Sequence, residues 1–200
     1  MSREGKTGVS ADTPKHIFFG AGTIHKGLTF SGGKWNFSES CVGATNGGST
    51  LTITPEFYDV PVDGSNVLIK QLKKKIGETA TLEVNFAELT EDLIATTTIA
   101  ERSSSVGTET EDETMNKITS RAELNDDDFW ENIAFVGKTL DGKNVIAILP
   151  NALCTSGLPL AGTNREGATI TATFTCHADI ESGDDLDTLP WQIYYPKPTV

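Results

Sequence analysis

The segment 167–179, GATITATFTCHAD, carries an unbroken alternation of threonines with apolar residues. Successive side chains of a strand point to opposite faces, so this pattern predicts a strand with one hydroxyl face and one apolar face. The apolar face must pack on a core. The hydroxyl face fits either the solvent side of a β-sandwich or a wall that meets a neighbouring subunit or a lumen. Its members are Thr169, Thr171, Thr173 and Thr175, opposite Ile170, Ala172, Phe174 and Cys176.

The composition favours a β-rich chain with a strongly acidic field. Threonine, which is β-branched and suits a pleated surface, occurs 27 times in 200 residues. The formal net charge is −12 and the pI is about 4.6. Such a field repels phosphate and excludes a protein that grips nucleic acid or an anionic membrane. It does not exclude a conduit through which DNA passes without sticking.

The residues that carry catalytic and metal chemistry are scattered. The three cysteines are far apart and form no CxxC pair, so we expect reduced thiols in a protein made in the cytoplasm. Cys176 and His177 are adjacent, so on a strand they point to opposite faces and cannot act as nucleophile and base. No apolar run is long enough for a membrane span, and the N-terminus lacks the apolar core of a signal peptide. We therefore expect no enzyme, cofactor, metal or membrane segment.

Periodicity and turn signals divide the chain into a polar N-terminal arm (1–14), one folded domain (15–196) and a C-terminal tail (197–200). Strands are predicted over 28–37, 50–60, 81–86, 133–149 and 190–195, with Asp141-Gly142 as a hairpin turn and Pro150 as the end of its return strand. The connections 43–49, 151–166 and 179–187 are predicted to be loops. Pro55 and Pro61 predict that the second strand lies at an edge or is bent there. One short helix is predicted from a cap at Thr90 to about Ala100, weakened by Thr96, Thr97 and Thr98.

Two charged stretches are candidate contacts between subunits. Lys73, Lys74 and Lys75 next to strand residues indicate either a solvated edge that blocks stray pairing or a contact for an acidic surface on a sister subunit. The stretch 101–128 holds nine acidic residues, including Glu111, Asp112 and Glu113, against three basic ones, and is predicted to be a long loop. It is either a disordered insertion or an arm that orders on a neighbour.

Several segments together resemble a known family. FFGAGTIHKGL (18–28), GKWNFSESCVGATNGGSTLTITPE (33–56), FVGKTLDGKNVIAILPNALCTSG (135–157), EGATITATFTCHAD (166–179) and LPWQIYYP (189–196) are similar to the major tail tube protein of long-tailed bacteriophages and prophages of Gram-positive bacteria. The similarity extends over nearly the whole chain from about residue 14 and is weakest over 101–128.

The resemblance implies a mainly β fold: a two-sheet β-sandwich or barrel-like domain with one short flanking helix, an extended N-terminal arm, a long loop and a C-terminal tail. It also implies six subunits in a ring and rings that stack into a hollow tube for DNA delivery. The implied partners are other copies of the chain, the tape-measure protein, and the distal tail and tail-terminator proteins. Phage DNA would pass without specific binding, and the protein would reside in the virion.

A rival interpretation is a monomeric β-sandwich binding module, such as a tail-tip adhesin or a capsid-decorating domain. Trp35, Trp130 and Trp191 would then stack on sugars, although isolated tryptophans in strands more often belong to a core.

Overall fold

The computed structural model of the protein describes residues 8–104, 114–160 and 167–197. The helices are α1 (Thr13–His16) and α2 (Glu91–Thr98), with single 3₁₀ turns at Lys70–Leu72 and Asp126–Asp128. The strands are β1 (Phe18–His25), β2 (Phe30–Ser31), β3 (Lys34–Trp35), β4 (Thr45–Asp59), β5 (Lys73–Phe86), β6 (Ala100–Ser104), β7 (Asn116–Ser120), β8 (Phe129–Thr139), β9 (Asn144–Cys154), β10 (Ile170–His177) and β11 (Gln192–Tyr194).

One antiparallel sheet dominates, in the order β1-β8-β9-β10-β5-β4, with β11 also paired to β9. The edge strands β1 and β4 contact each other, so the sheet curls towards a barrel. The amide of Val42 donates to the carbonyl of Ile24 (3.0 Å) and helps to link the chain before β4 to β1. The mainly β fold with a short helix is confirmed. Of the two arrangements expected, the described residues form the curled one, with β2-β3 and β6-β7 as small separate ribbons.

The threonine strand is confirmed as β10, at the centre of the sheet. Ile170, Ala172, Phe174 and Cys176 are buried, whereas the threonines between them are half-buried. Cross-strand pairing places Phe174 opposite Leu82 on β5, so two apolar faces join in one core. α2 covers this core through Leu93, also buried.

The β8-β9 hairpin is confirmed, including its turn, where Gly142 takes a φ of 83° that a side chain would disfavour. The prediction that Pro150 ends the return strand is wrong, because β9 continues to Cys154. On one side of β9, β11 pairs only as far as Ile148, and β10 begins at Asn151. Pro150 lies where β9 changes from one partner strand to the other. On that side no strand pairs with it, so its missing N–H costs no hydrogen bond of the ladder.

Three other local predictions need correction. The stretch 28–37 is two short strands around Gly32-Gly33, and the glycine-rich stretch 43–49 belongs largely to β4, which begins at Thr45. The stretch 101–128 is not a single long loop, because β6 and β7 pair from Ala100↔Ser120 to Ser104↔Asn116. The edge position predicted from Pro55 is confirmed for β4.

The predicted helix is confirmed, with its cap at Thr90 and its end at Thr98. Thr90 accepts a hydrogen bond from the amide of Leu93 (3.2 Å), and Ile99 ends the helix in a left-handed conformation. Thr96 and Thr97, whose β-branched side chains have low helix propensity, are buried. The hydroxyl of Thr97 donates to the carbonyl of Leu93 (2.8 Å), which satisfies its polar group inside the core.

The two ends of the described chain meet. The N-terminal arm is already helical at Thr13, while residues 1–7 lie outside the described part. His16 Nδ1 and the hydroxyl of Tyr195 are 3.1 Å apart, and their rings are stacked.

Candidate inter-subunit surface

A two-stranded ribbon projects from the sheet. β10 pairs with β5 only from Thr81 to Phe86, whereas β4 continues to pair with β5 as far as Asp59↔Lys73. Residues 53–80, called the β4-β5 arm below, therefore extend beyond their neighbouring strand. A lone two-stranded hairpin is marginally stable in water, so packing against another surface would stabilise the arm.

The arm exposes large apolar side chains. The exposed fractions are 54% for Phe57, 49% for Tyr58, 63% for Ile76 and 80% for Leu68. At its tip, Val60, Pro61, Val62, Ile69 and Leu72 help to line a groove of about 430 Å³. Large apolar side chains exposed together on one element are typical of a protein interaction site.

The three lysines of the basic run differ in their contacts. Lys73 Nζ lies 2.9 Å from a carboxylate oxygen of Asp59, and Lys75 Nζ lies 2.7 Å from one of Glu78. The hydrogen bond from Lys75, helped by one from a backbone amide, lowers the pKa of the Glu78 carboxyl. Lys74 makes no ion pair with any described residue. Within the single chain, two of the three lysines are therefore already paired, and Lys74 is the one whose charge is left for a sister subunit or for solvent.

The hydroxyl face is partly satisfied within the chain. Thr171 Oγ1 donates to Asn85 Oδ1 (2.7 Å), and the hydroxyls of Thr175 and Thr155 are 3.1 Å apart. Thr173 pairs across the sheet with Glu83, and Thr169 is exposed just before the strand begins. The face lies on the side of β10 opposite its buried residues.

Glu111, Asp112 and Glu113 lie outside the described residues. The base of their segment, the β6-β7 ribbon, is held to α2. Arg102 donates to Asp92 Oδ1 (2.6 Å) and Lys26 Nζ lies 3.1 Å from Asp92 Oδ2. Burial opposes ionisation of Asp92, but the hydrogen bonds from these two cations outweigh it and lower the pKa of the carboxyl.

An acidic groove of about 450 Å³ lies where β8 begins and β10 ends, and no sequence pattern pointed to it. Phe129 and Ile180 contribute its apolar part, and Asp126, Glu131, Asp179 and Glu181 contribute carboxylates. The edge of the His177 ring meets Phe129, with centroids 5.4 Å apart, and His177 Nδ1–H donates to the carbonyl of Thr175 (2.9 Å). These residues come from three separate parts of the chain, so no local motif announces the groove.

Two aromatic features were also unforeseen. Lys26 Nζ stands 4.4 Å from the centroid of the buried Trp130 ring. At the surface, Phe30, Trp35 and Tyr194 form an edge-to-face cluster with centroid distances of 5.1 and 4.8 Å.

The described residues hold no cluster of histidines, cysteines and carboxylates that could bind a metal ion. Within the same ranges, no helix is both long and apolar enough to cross a bilayer. All three cysteines are free thiols, and burial raises the pKa of Cys176 to about 11.

No protein-family model matches the chain, and no curated protein is significantly similar to it.

Proposed function

We propose that this protein is a structural virion subunit that assembles with copies of itself into stacked rings, forming the hollow tail tube of a long-tailed bacteriophage. The observation that carries the proposal is the β4-β5 arm. A ribbon that leaves its sheet with exposed Phe57, Tyr58 and Ile76 would be stabilised by packing on a second surface.

The free edges of the large sheet support the same function. β1 and β4 are its outer strands. Around Ile24 and His25 the end of β1 bonds to residues 40–42, and no described strand continues the ladder along the rest of either edge. Unpaired edges invite pairing with another chain, and a ring of copies would remove them. The segment similarities to tail tube proteins, described above, agree with this arrangement and imply six copies in each ring.

The net charge suits a conduit. A ring of six copies would carry six times −12 formal charges. Carboxylates on a lumen wall repel DNA phosphates over a Debye length of about 8 Å at physiological salt, so DNA would pass without binding. Tape-measure, distal tail and tail-terminator proteins would set the length and ends of such a tube. The protein would be made in the host cytoplasm and reside in the phage tail.

Negative-stain electron microscopy of the purified protein, dilute and concentrated, tests the proposal. We expect stacked rings or hollow tubes. In a matched variant, residues 57–76 are replaced by Asn-Gly, so that the paired residues Glu56 and Gly77 flank a two-residue turn. This variant should remain a folded monomer, because it shortens β4 and β5 only beyond their contact with β10 and leaves the core untouched. A wild-type protein that stays monomeric at high concentration, even with tail-tip and tape-measure proteins added, refutes the proposal.

The alternative function is a monomeric module that binds carbohydrate or protein. The aromatic cluster of exposed Phe30 and Tyr194 around half-buried Trp35 favours it. The alternative predicts a soluble monomer whose ligand affinity is lost on Trp35→Ala, whereas the same change leaves a tube subunit able to form rings.

A further inference from the structure

The two faces of the β4-β5 arm differ in how their charges are satisfied. Cross-strand pairing places Phe57 opposite Lys75 and Asp59 opposite Lys73, on one face of the ribbon. There, Lys73 contacts both Asp59 and the ring of Phe57 (5.3 Å). The charges on this face are therefore paired within the chain.

The opposite face of the arm carries Tyr58 and Lys74, which are paired across the two strands. Both side chains are exposed, and Lys74 makes no ion pair or hydrogen bond with a described residue. An aromatic ring beside an uncommitted ammonium group presents an apolar surface and a positive charge together.

The acidic groove has the complementary chemistry. Asp126, Glu131 and Glu181 form no ion pair with any described cation, and all three are exposed. Phe129 and Ile180 give the groove an apolar part that an aromatic side chain can contact. A lysine side chain that enters the groove would lie near several carboxylates, and no lysine or arginine is among the described residues that line it.

We infer that Lys74 and Tyr58 of one copy dock into the acidic groove of the next copy. This inference rests on the proposed self-assembly and adds which two surfaces meet. The arm and the groove are different surfaces of one chain, so the contact is heterologous. A pair of copies docked in this way keeps one unused arm and one unused groove. Further copies can therefore be added until a ring closes or a filament forms.

Charge explains why another copy is the occupant. Copies with a net charge of −12 repel one another, so their association needs local attraction at the interface. Lys73 and Lys75 are paired with Asp59 and Glu78 inside the arm, so the positive charge that the arm offers to a partner is that of Lys70 and Lys74, which form no ion pair with a described residue. The groove brings the opposite sign. Complementary patches of this kind steer association and fix its register.

The test uses two charge reversals whose effects cancel only if the two surfaces meet. Lys74→Glu changes the arm, and Glu131→Lys changes the groove at a position held on β8. Each variant alone should raise the critical concentration for tube formation at least about tenfold, because like charges then face each other. Mixed one to one, the two variants should co-assemble, since the glutamate introduced on the arm of one variant can pair with the lysine introduced in the groove of the other, and the two unchanged surfaces fit each other.

Sedimentation and electron microscopy give the readout, and thermal unfolding checks that each variant is folded. Lys138→Glu, the same reversal at another exposed strand lysine, is the control and should assemble like wild type. Lys74→Gln, which removes the charge without reversing it, should have a smaller effect than Lys74→Glu.

The outcomes separate the two proposals. Single variants that assemble as readily as wild type overturn the docking and leave the tube function intact. Variants that fail to assemble both alone and when mixed also overturn the docking, because the charge reversals then act through other contacts. If binding of a basic segment from another tail protein is what Glu131→Lys abolishes, while the variant still forms tubes, the groove serves that partner and the inference is overturned. A wild-type chain that never assembles refutes the proposed function itself.

Discussion

The buried hydrogen bond between Trp130 and Thr96 gives a quantitative test of how α2 is attached to the sheet. The indole Nε1–H of Trp130 donates to Thr96 Oγ1 (2.9 Å), and both residues are buried. The Trp130 ring also packs on Phe174, with centroids 4.8 Å apart. Thr96→Val keeps the shape of the side chain and removes the acceptor, so the indole N–H is left without a partner in the core.

The expected cost follows from that orphaned group. A buried donor without an acceptor costs about 1–3 kcal/mol. For a chain of this size, a loss of about 1 kcal/mol lowers Tm by about 2–4 °C. Trp130→Phe removes the donor as well, so in the double variant the cost of Thr96→Val should fall below about 0.5 kcal/mol. A double-mutant cycle therefore isolates the hydrogen bond from the lost ring area.

Urea unfolding of dilute protein, followed by tryptophan fluorescence and far-UV circular dichroism, measures these free energies of unfolding. Thr98→Val is the matched control. Thr98 is exposed on the same helix and donates to the carbonyl of Ile94 (2.7 Å), so its replacement should change stability by no more than about 0.5 kcal/mol. If Thr96→Val is as mild as Thr98→Val, the Trp130–Thr96 bond does not anchor the helix and the reasoning is refuted.

Three further predictions concern single positions. Gly22→Ala should destabilise more than Gly20→Ala in urea titrations: both have positive φ, but a Cβ at Gly22 would meet the Phe135 ring at 2.5 Å, whereas one at Gly20 meets nothing within 4 Å. Burial lowers the pKa of His25 below 6.5, so the unfolded chain binds the proton first. The free energy of unfolding should then fall as pH drops through 6.5, by at most about 1.4 kcal/mol per pH unit, and His25→Asn should remove this component of the slope. Thiol labelling at pH 8 should modify exposed Cys41 rapidly and leave Cys176, with a pKa of about 11, unmodified until the protein unfolds; equal rates would contradict its burial.

Local signals in the sequence determined the elements whose cause is itself local. The alternation over 169–176 specified which side of β10 faces the core, because the side-chain period of a strand is two. Asp141-Gly142 specified the β8-β9 turn, and Thr90 specified the start of α2, because each position depends on its immediate backbone geometry. Pro55 placed β4 at an edge, since a missing N–H is tolerated there.

Long-range pairing decided the features that matter for the proposed function. Nothing local tells where β10 stops beside β5, yet that end point makes residues 53–80 a projecting arm. Tertiary pairing also explains Pro150. It stays within β9 because the partner of β9 changes there from β11 to β10.

The acidic groove also depends on tertiary structure, because it brings together residues 126–131, 151 and 177–181. The basic run shows most clearly what the sequence determines and what tertiary pairing decides. The sequence identified Lys73, Lys74 and Lys75 as a charged edge, but the register of β4 on β5 decided which two pair within the chain and which one is left uncommitted. Sequence periodicity sets which way a side chain faces, whereas its partner is set by strands that are distant along the chain.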